Sequence, residues 1–147
     1  MSSPGVGAGP GGPAPLRVVD LTAAFASFHD HWSPRVVGAL NGQEVKVAKL
    51  QGPFVWHHHT EEDELFLVVV GTLRMELRDT PAVDAERDPP HRQLVVGPGQ
   101  FLIVPRGVEH RPVADEEVHL VLFEPADTLN TGNIRNQRTV ERPGTLG

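Results

Sequence analysis

The sequence predicts an all-β domain, built as an antiparallel sandwich or barrel and preceded by one short helix. About eight short apolar segments follow one another, separated by turns rich in Gly, Pro, Asn or Asp. Only one segment has apolar residues at helical spacing. Because strands and helices do not alternate along the chain, the pattern disfavours an α/β fold with a parallel sheet.

The predicted helix covers residues 20–31. Its apolar residues recur at helical spacing and should pack as one face against a larger sheet. Asp20 or Thr22 can accept hydrogen bonds from the first free backbone N–H groups of this helix. Pro34 follows shortly after its end. The apolar face consists of Leu21, Ala24, Phe25 and Phe28.

The predicted strands follow the helix and are separated by turns. Asn41-Gly42 predicts a tight hairpin, because both residues tolerate a positive φ. Gly52-Pro53, Gly71 and the Gly97-Pro98-Gly99 turn separate later strands. The predicted strands are residues 35–40, 43–50, 54–59, 65–70, 72–78, 92–96, 101–104 and 117–123.

The chain of 147 residues has the length of one domain, which we assign to residues 16–132. Residues 1–15 are rich in Gly and Pro and are predicted to be disordered, because they bury too little apolar surface to offset their ordering entropy. Residues 79–90, rich in Asp and Pro, are a predicted surface loop. Residues 133–147 are a predicted irregular C-terminal tail, loose at its end.

Composition narrows the classes of partner. A net charge of −6 and a pI near 5.7 argue against binding nucleic acid. The chain has no cysteine, which excludes disulfides and thiolate chemistry. Residues 1–15 resemble neither a signal peptide nor a membrane segment, so we expect no membrane association and a cytoplasmic location. We expect a homodimer, because a small sheet has exposed edges and Trp56 points outward. Trp56 itself should pack under the helix or at the interface between subunits.

Four side chains form the predicted metal site. His57 and His59 are alternate residues of a predicted strand and should reach one point, whereas His58 faces away. Glu64 opens an apolar strand, where a buried carboxylate without a partner would be unfavourable. His110 follows the turn at Pro105 to Gly107. Imidazole and carboxylate ligands suit one divalent transition metal per chain, such as Fe, Mn, Ni or Zn.

The surroundings of this site are predicted by alternation along the strands. Five apolar side chains should line the cavity at the metal: Val55, Phe66, Val68, Phe101 and Ile103. A general base could come from His119, Lys49 or Glu124, but the pattern does not tell which of them faces inward. No catalytic residue is assigned.

The two halves of this site resemble the two conserved motifs of the cupin superfamily. Residues 52–71, GPFVWHHHTEEDELFLVVVG, are similar to G-x5-H-x-H-x3–4-E-x6-G. Residues 99–114, GQFLIVPRGVEHRPVA, are similar to G-x5-P-x-G-x2-H-x3-N. The departures are a gap one residue short before His57 and Ala114 in place of Asn. The resemblance implies a double-stranded β-helix, or jelly roll, and a metal held by the four residues above.

More faintly, the whole chain resembles the small single-domain bacterial cupins, some of which carry a mannose-6-phosphate isomerase-like label. The shared features are residues 31–34, HWSP, and the ending 124–132, EPADTLNTG. The resemblance names a scaffold more than a substrate. We expect a metal-dependent enzyme for a small oxygenated metabolite, with dioxygenase chemistry favoured, because hard ligands, open metal positions and an apolar cavity suit O2 and a chelating substrate. A non-redox isomerase or cyclase using the metal as a Lewis acid is one alternative. A protein that binds metal or a small molecule without turnover is the other.

Overall fold

The computed structural model describes residues 16–78 and 91–146. The predicted disordered tail at residues 1–15 and the predicted loop at residues 79–90 lie outside this part of the chain. The described residues form one helix and eight strands, in this order: α1 (Leu21–Ala26), β1 (Arg35–Leu40), β2 (Gln43–Pro53), β3 (Glu64–Val70), β4 (Leu73–Arg78), β5 (His91–Val96), β6 (Phe101–Val104), β7 (Glu109–Pro125) and β8 (Gly144–Thr145).

The strands form an antiparallel jelly-roll barrel, which confirms the predicted fold class. The strand order is β5-β4-β7-β2-β1-β8, and β3 pairs with both β6 and β7. The long strand β7 holds the barrel together, because it pairs with β4 at its start and with β2 and β3 further along. No helix in the described part of the chain has the length and apolar character needed to cross a bilayer.

Alternation along the strands separates two apolar layers. Even-numbered residues of β2 and of the second half of β7 face the barrel interior, where they join the main core. Odd-numbered residues face a second, smaller cluster beneath α1, built around Phe25, Phe28 and Val47. Lys49 and His119 are opposite one another in the register and belong to this outer side.

Helix α1 is shorter than the predicted 20–31. It starts where predicted, with Asp20 Oδ1 accepting a hydrogen bond from Ala23 N at 3.2 Å. It ends after Ala26 because Ser27 turns back, its hydroxyl donating to Ala24 O at 2.7 Å. This local bond competes with continuation of the helix. Phe28 is buried all the same, from a non-helical position.

Residues 54–59 do not form the predicted strand. Gly52 has φ +80° and Pro53 closes β2, so the chain leaves the sheet before the histidines. Isolated backbone bonds replace a ladder, including Phe54 N to Pro112 O at 2.9 Å. His57 makes a single bridge to His110.

Two other segments differ from prediction near the C-terminus. Strand β7 starts at Glu109 instead of residue 117, because its first residues pair with β4. The tail at residues 133–147 is mostly irregular, but β8 pairs in parallel with β1. Leu146 N also donates to Val36 O at 2.9 Å, and its side chain packs on the cluster beneath α1. The end of the tail is therefore attached to β1 and to the apolar cluster beneath α1.

Candidate metal centre

The four predicted ligands lie together inside the barrel. One nitrogen each from His57, His59 and His110 and one oxygen from Glu64 are all within 4.8 Å of one another. All four residues are buried. The histidine pair comes from the loop after β2, Glu64 is the first residue of β3, and His110 is the second residue of β7. Residues distant in sequence thus meet at one point.

Backbone carbonyls orient two of the imidazoles. His57 Nδ1 lies 2.9 Å from Val55 O, and His110 Nδ1 lies 2.9 Å from Val108 O. A carbonyl oxygen only accepts, so each Nδ1 carries the proton and donates it. The Nε2 of each ring is left with a lone pair, which is the arrangement that metal-binding histidines use.

Three ligand atoms that face one another lack ordinary hydrogen-bond partners. This observation tests whether the site fits a metal. His59 Nε2 is 2.6 Å from Glu64 Oε1, and His110 Nε2 is 3.4 Å from the same oxygen. None of these three buried atoms has a well-aligned hydrogen bond. Buried polar atoms without partners are unfavourable, and a divalent cation would satisfy all three. The residues therefore fit a metal.

Burial sets the charge state of the site. It lowers the pKa of His57 to about 3, helped by the neighbouring His110, so this imidazole is neutral at neutral pH. Burial opposes ionisation of Glu64, but contacts from Glu124, His110 and His59 outweigh it and hold the pKa of Glu64 well below its usual range. A neutral imidazole and an ionised carboxylate are the forms that bind metals.

A second buried carboxyl group stands beside Glu64. Lys46 Nζ donates to Glu124 Oε1 at 2.9 Å, and both side chains are buried. Burial, together with the charge of Glu64, raises the pKa of Glu124 well above its usual range. The buried Lys46–Glu124 pair thus lies next to Glu64, and both carboxyl groups line the same cavity. Lys46 was missed in the sequence analysis, although a lysine between Val45 and Val47 is a detectable signal.

Of the three predicted base candidates, Glu124 alone lines the cavity at the site. Lys49 Nζ donates to Phe28 O at 2.7 Å, on the side of the sheet that faces α1. His119 stacks on Phe25 with ring centroids 4.7 Å apart. Both side chains therefore lie outside the barrel interior.

The cavity next to the ligands has a volume of about 40 Å³, enough for a few water molecules. Trp32 and Phe54 form one wall, stacked with ring centroids 4.6 Å apart. Trp32 has φ +58°, an uncommon backbone conformation for a bulky residue, and its ring Nε1 donates to Gln51 O at 2.9 Å. Sequence reasoning did not place Trp32 here. The polar lining comes from His57, Glu64, Glu124 and Asn130, and the rest is apolar.

The predicted cavity lining is partly wrong. Phe66 lines the cavity, whereas Val68 is buried in the core without reaching it, and Val55 packs at the edge of the core. Phe101 and Ile103 are on the outer surface, 61% and 52% exposed.

Strand register explains this error. Phe66 pairs with Leu102 and Glu64 pairs with Val104. Directly opposite residues of an antiparallel pair share a face, so the even-numbered residues of β6 point inward.

Trp56 does not pack under the helix. Its ring lies 3.9 Å from the guanidinium carbon of Arg78 and 5.2 Å from that of Arg111, on the outer side of β4 and β7. This is a cation–π arrangement, and it turns Trp56 away from the neighbouring ligand His57.

Comparison with known proteins agrees with the fold and the motifs. A crystal structure of a cupin-2 domain containing protein from Shewanella frigidimarina NCIMB 400 is 36% identical, with a TM-score of 0.64, and the match covers 74% of this chain and 94% of that one. Protein NMB1881 from Neisseria meningitidis is 24% identical, with a TM-score of 0.61, over 74% of this chain and 99% of that one, which shows the fold.

Among curated proteins, the uncharacterized protein YdbB of Bacillus subtilis (strain 168) is 29% identical over 75 residues. The match covers 51% of this chain and 57% of YdbB, so the chain spans little more than half the length of that relative. The family model of the cupin domain matches residues 43–124, which is more than half of the chain and includes all four ligand candidates. The chain belongs to the cupin domain family.

Proposed function

We propose that the protein is a metal-dependent enzyme of the dioxygenase type that acts on a small oxygenated metabolite. The observation that carries this proposal is the buried cluster of three histidines and one glutamate that faces a mostly apolar cavity. An apolar lining with a few convergent polar groups is the chemistry typical of a small-molecule site.

His57, His59, Glu64 and His110 would hold one divalent metal per chain. Nitrogen and carboxylate oxygen donors suit Fe, Mn, Ni or Zn. When bound, Fe(II) or Mn(II) would supply redox chemistry with O2. We expect a substrate whose neighbouring carbonyl, hydroxyl or carboxylate oxygens serve as metal-binding groups.

The residues of the chain bind and orient the substrate. The stacked Trp32 and Phe54, with Phe66 beside His110, offer an apolar surface to the carbon skeleton. The same side chains keep bulk water from the site, which strengthens the electrostatic interactions inside it. Glu124 is the polar group placed to contact the oxygenated end of a substrate.

A second candidate function follows from the position of Glu124. Proton-transfer reactions such as isomerisation or cyclisation need an acid or base near the metal, and Glu124 supplies a carboxyl group in the cavity. A non-redox metal would then act as a Lewis acid only.

Oxygen consumption separates the two candidates. Protein loaded with Fe(II) without air is mixed with O2 and a panel of diketones, catechols and thiols in an oxygen electrode. The proposal predicts uptake with a chelating substrate that is lost in His59→Ala. If no chelating substrate gives uptake, while Zn-loaded protein isomerises or cyclises one of them, the dioxygenase proposal is wrong and the second function replaces it.

A further inference from the structure

The peptide between the two histidine ligands of the first motif is held by a residue far along the chain. Asn133 Oδ1 accepts a hydrogen bond from His58 N at 2.8 Å. Asn133 N in turn donates to His58 O at 3.0 Å. One residue therefore satisfies both backbone groups of His58, although 75 positions separate the two in sequence.

The C-terminal residues pack closely on the His58 peptide, and Gly132, the residue before Asn133, allows this close packing. Gly132 has φ +56°, and a Cβ atom at this position would lie 2.1 Å from His58 O and 3.1 Å from His57 Cδ2. No other residue type fits without moving the histidine loop. The backbone at residues 132–133 thus packs directly on the peptide that carries His57.

The segment that carries Asn133 is fixed by its own bonds. We refer to residues 126–140 as the C-terminal segment. Asn130 Nδ2 donates to Arg138 O at 2.7 Å, and its Oδ1 accepts from Val140 N at 2.8 Å. Thr131 is fully buried, and its hydroxyl lies 2.8 Å from that of Thr139. These hydrogen bonds therefore fix the segment from which Asn133 contacts His58.

Each of the three consecutive histidines has a different backbone attachment. His57 is bridged to His110, and His59 O accepts from Gly107 N at 2.7 Å. Only the attachment of His58 comes from the C-terminal segment. Since residues 58–63 belong to no strand, no ladder of hydrogen bonds would replace this attachment.

We propose that Asn133 is a positioning residue of the metal centre, which acts through the His58 backbone to hold His57 and His59 at the separation that one metal needs. This inference rests on the proposed metal binding. Hydrogen-bonding partners of metal ligands commonly change metal affinity about 10- to 100-fold when they are removed. Asn133 contacts the ligand-bearing loop, so we expect an effect at the lower end of this range.

The test is a Co(II) titration followed by visible absorption, combined with thermal unfolding of the metal-free proteins. Asn133→Ala removes the acceptor and should weaken Co(II) binding about tenfold. Asn133→Asp keeps an acceptor oxygen and should bind Co(II) at least as tightly as the wild type. Asn136→Ala is the matched control, because Asn136 Oδ1 accepts from Arg138 N at 2.8 Å but does not touch the histidines.

A merely structural role would lower the melting temperatures of Asn133→Ala and Asn136→Ala alike and leave both affinities unchanged. That result would overturn the inference, as would a tenfold loss of affinity in Asn133→Asp. If the wild type binds Co(II) and Asn133→Ala binds it equally well, this inference alone is wrong. A wild type that binds no metal would refute the proposed function as well.

Discussion

His57 and His110 exchange both of their backbone hydrogen bonds, at 3.1 and 2.9 Å, although the residues on either side of His57 belong to no strand. Directly opposed residues in an antiparallel bridge send their side chains to the same side. This one bridge therefore brings the two imidazoles to a centroid distance of 4.3 Å. Main-chain geometry joins the first motif to the second at the metal site.

Removing the His59 side chain should weaken metal binding strongly, whereas removing the neighbouring His58 side chain should leave it unchanged. His59→Ala removes the ring whose Nε2 lies 2.6 Å from Glu64 Oε1, and metal content should fall strongly. His58→Ala is the control, because its backbone bonds to Asn133 persist and metal content should stay unchanged. Metal analysis of both purified variants checks this. Equal losses would show that His58 also points to the site.

The Lys46–Glu124 pair should be costly to break from one side. Lys46→Met leaves the buried Glu124 carboxyl group without its hydrogen-bond donor and should lower the free energy of unfolding by about 1–3 kcal/mol. The double variant Lys46→Met/Glu124→Leu removes both polar groups, so it should lose less than the single variant. Urea unfolding of the metal-free proteins measures both effects. A loss below about 1 kcal/mol in Lys46→Met, the level of an exposed pair, would contradict the buried pairing.

Glu117 should make stability depend on acid pH. Hydrogen bonds from His31 and then His119 lower its pKa from 4.5 to about 2. A depressed carboxyl pKa stabilises the folded state above the unfolded pKa, and this contribution is lost as the pH falls from about 4.5 through about 2. The groups are largely exposed and screened, so the contribution is at most about 1 kcal/mol.

The measurement is the free energy of unfolding between pH 6 and 2 for the wild type and Glu117→Gln. The wild type should be the more stable protein at pH 6, and the two curves should converge near pH 2. A constant difference across this range would mean that Glu117 is not ionised against the two histidines.

The outer face of β3 and β6 supports the expected homodimer. Phe101 and Ile103 are exposed and stand opposite Leu67 and Leu65, so the face is apolar across both strands. Within the described part of the chain, β6 pairs only with β3 and has a free edge. A second copy of the same face would cover it, and stable dimers bury roughly 800 Å² on each partner.

Light scattering at micromolar concentration tests this expectation. The wild type should be a dimer, and Phe101→Asp/Ile103→Asp should be a monomer. Val95→Asp, on the exposed outer face of β5 opposite Arg74, is the control and should remain a dimer. A monomeric wild type would contradict the prediction.

The fold class and the convergence of four ligand candidates were accessible from the sequence because both depend on local patterns. Asn41-Gly42, with φ of 52° and 75°, forms the predicted hairpin between β1 and β2. The residue spacings within the two motifs identified the four ligand candidates, and the jelly roll brings the two motifs together. These features need no knowledge of long-range register.

Features that depend on long-range register or on irregular backbone were not accessible. The inward face of β6 is set by its pairing with β3, so alternation counted from the wrong end placed Phe101 inside. The role of Asn133 depends on a contact between two segments without regular structure. Glu124 was one of three base candidates, and only the pairing of β7 with β2 shows which of them faces the metal site.

The metal-to-chain ratio after reconstitution tests metal binding by the cluster most directly. The wild type and a His59→Ala/Glu64→Ala variant are incubated with Zn(II), desalted and analysed by inductively coupled plasma mass spectrometry. We predict about one Zn(II) per chain in the wild type, from the four clustered ligands, and close to none in the variant. A wild-type ratio near zero, or an equal ratio in both proteins, would contradict metal binding by His57, His59, Glu64 and His110.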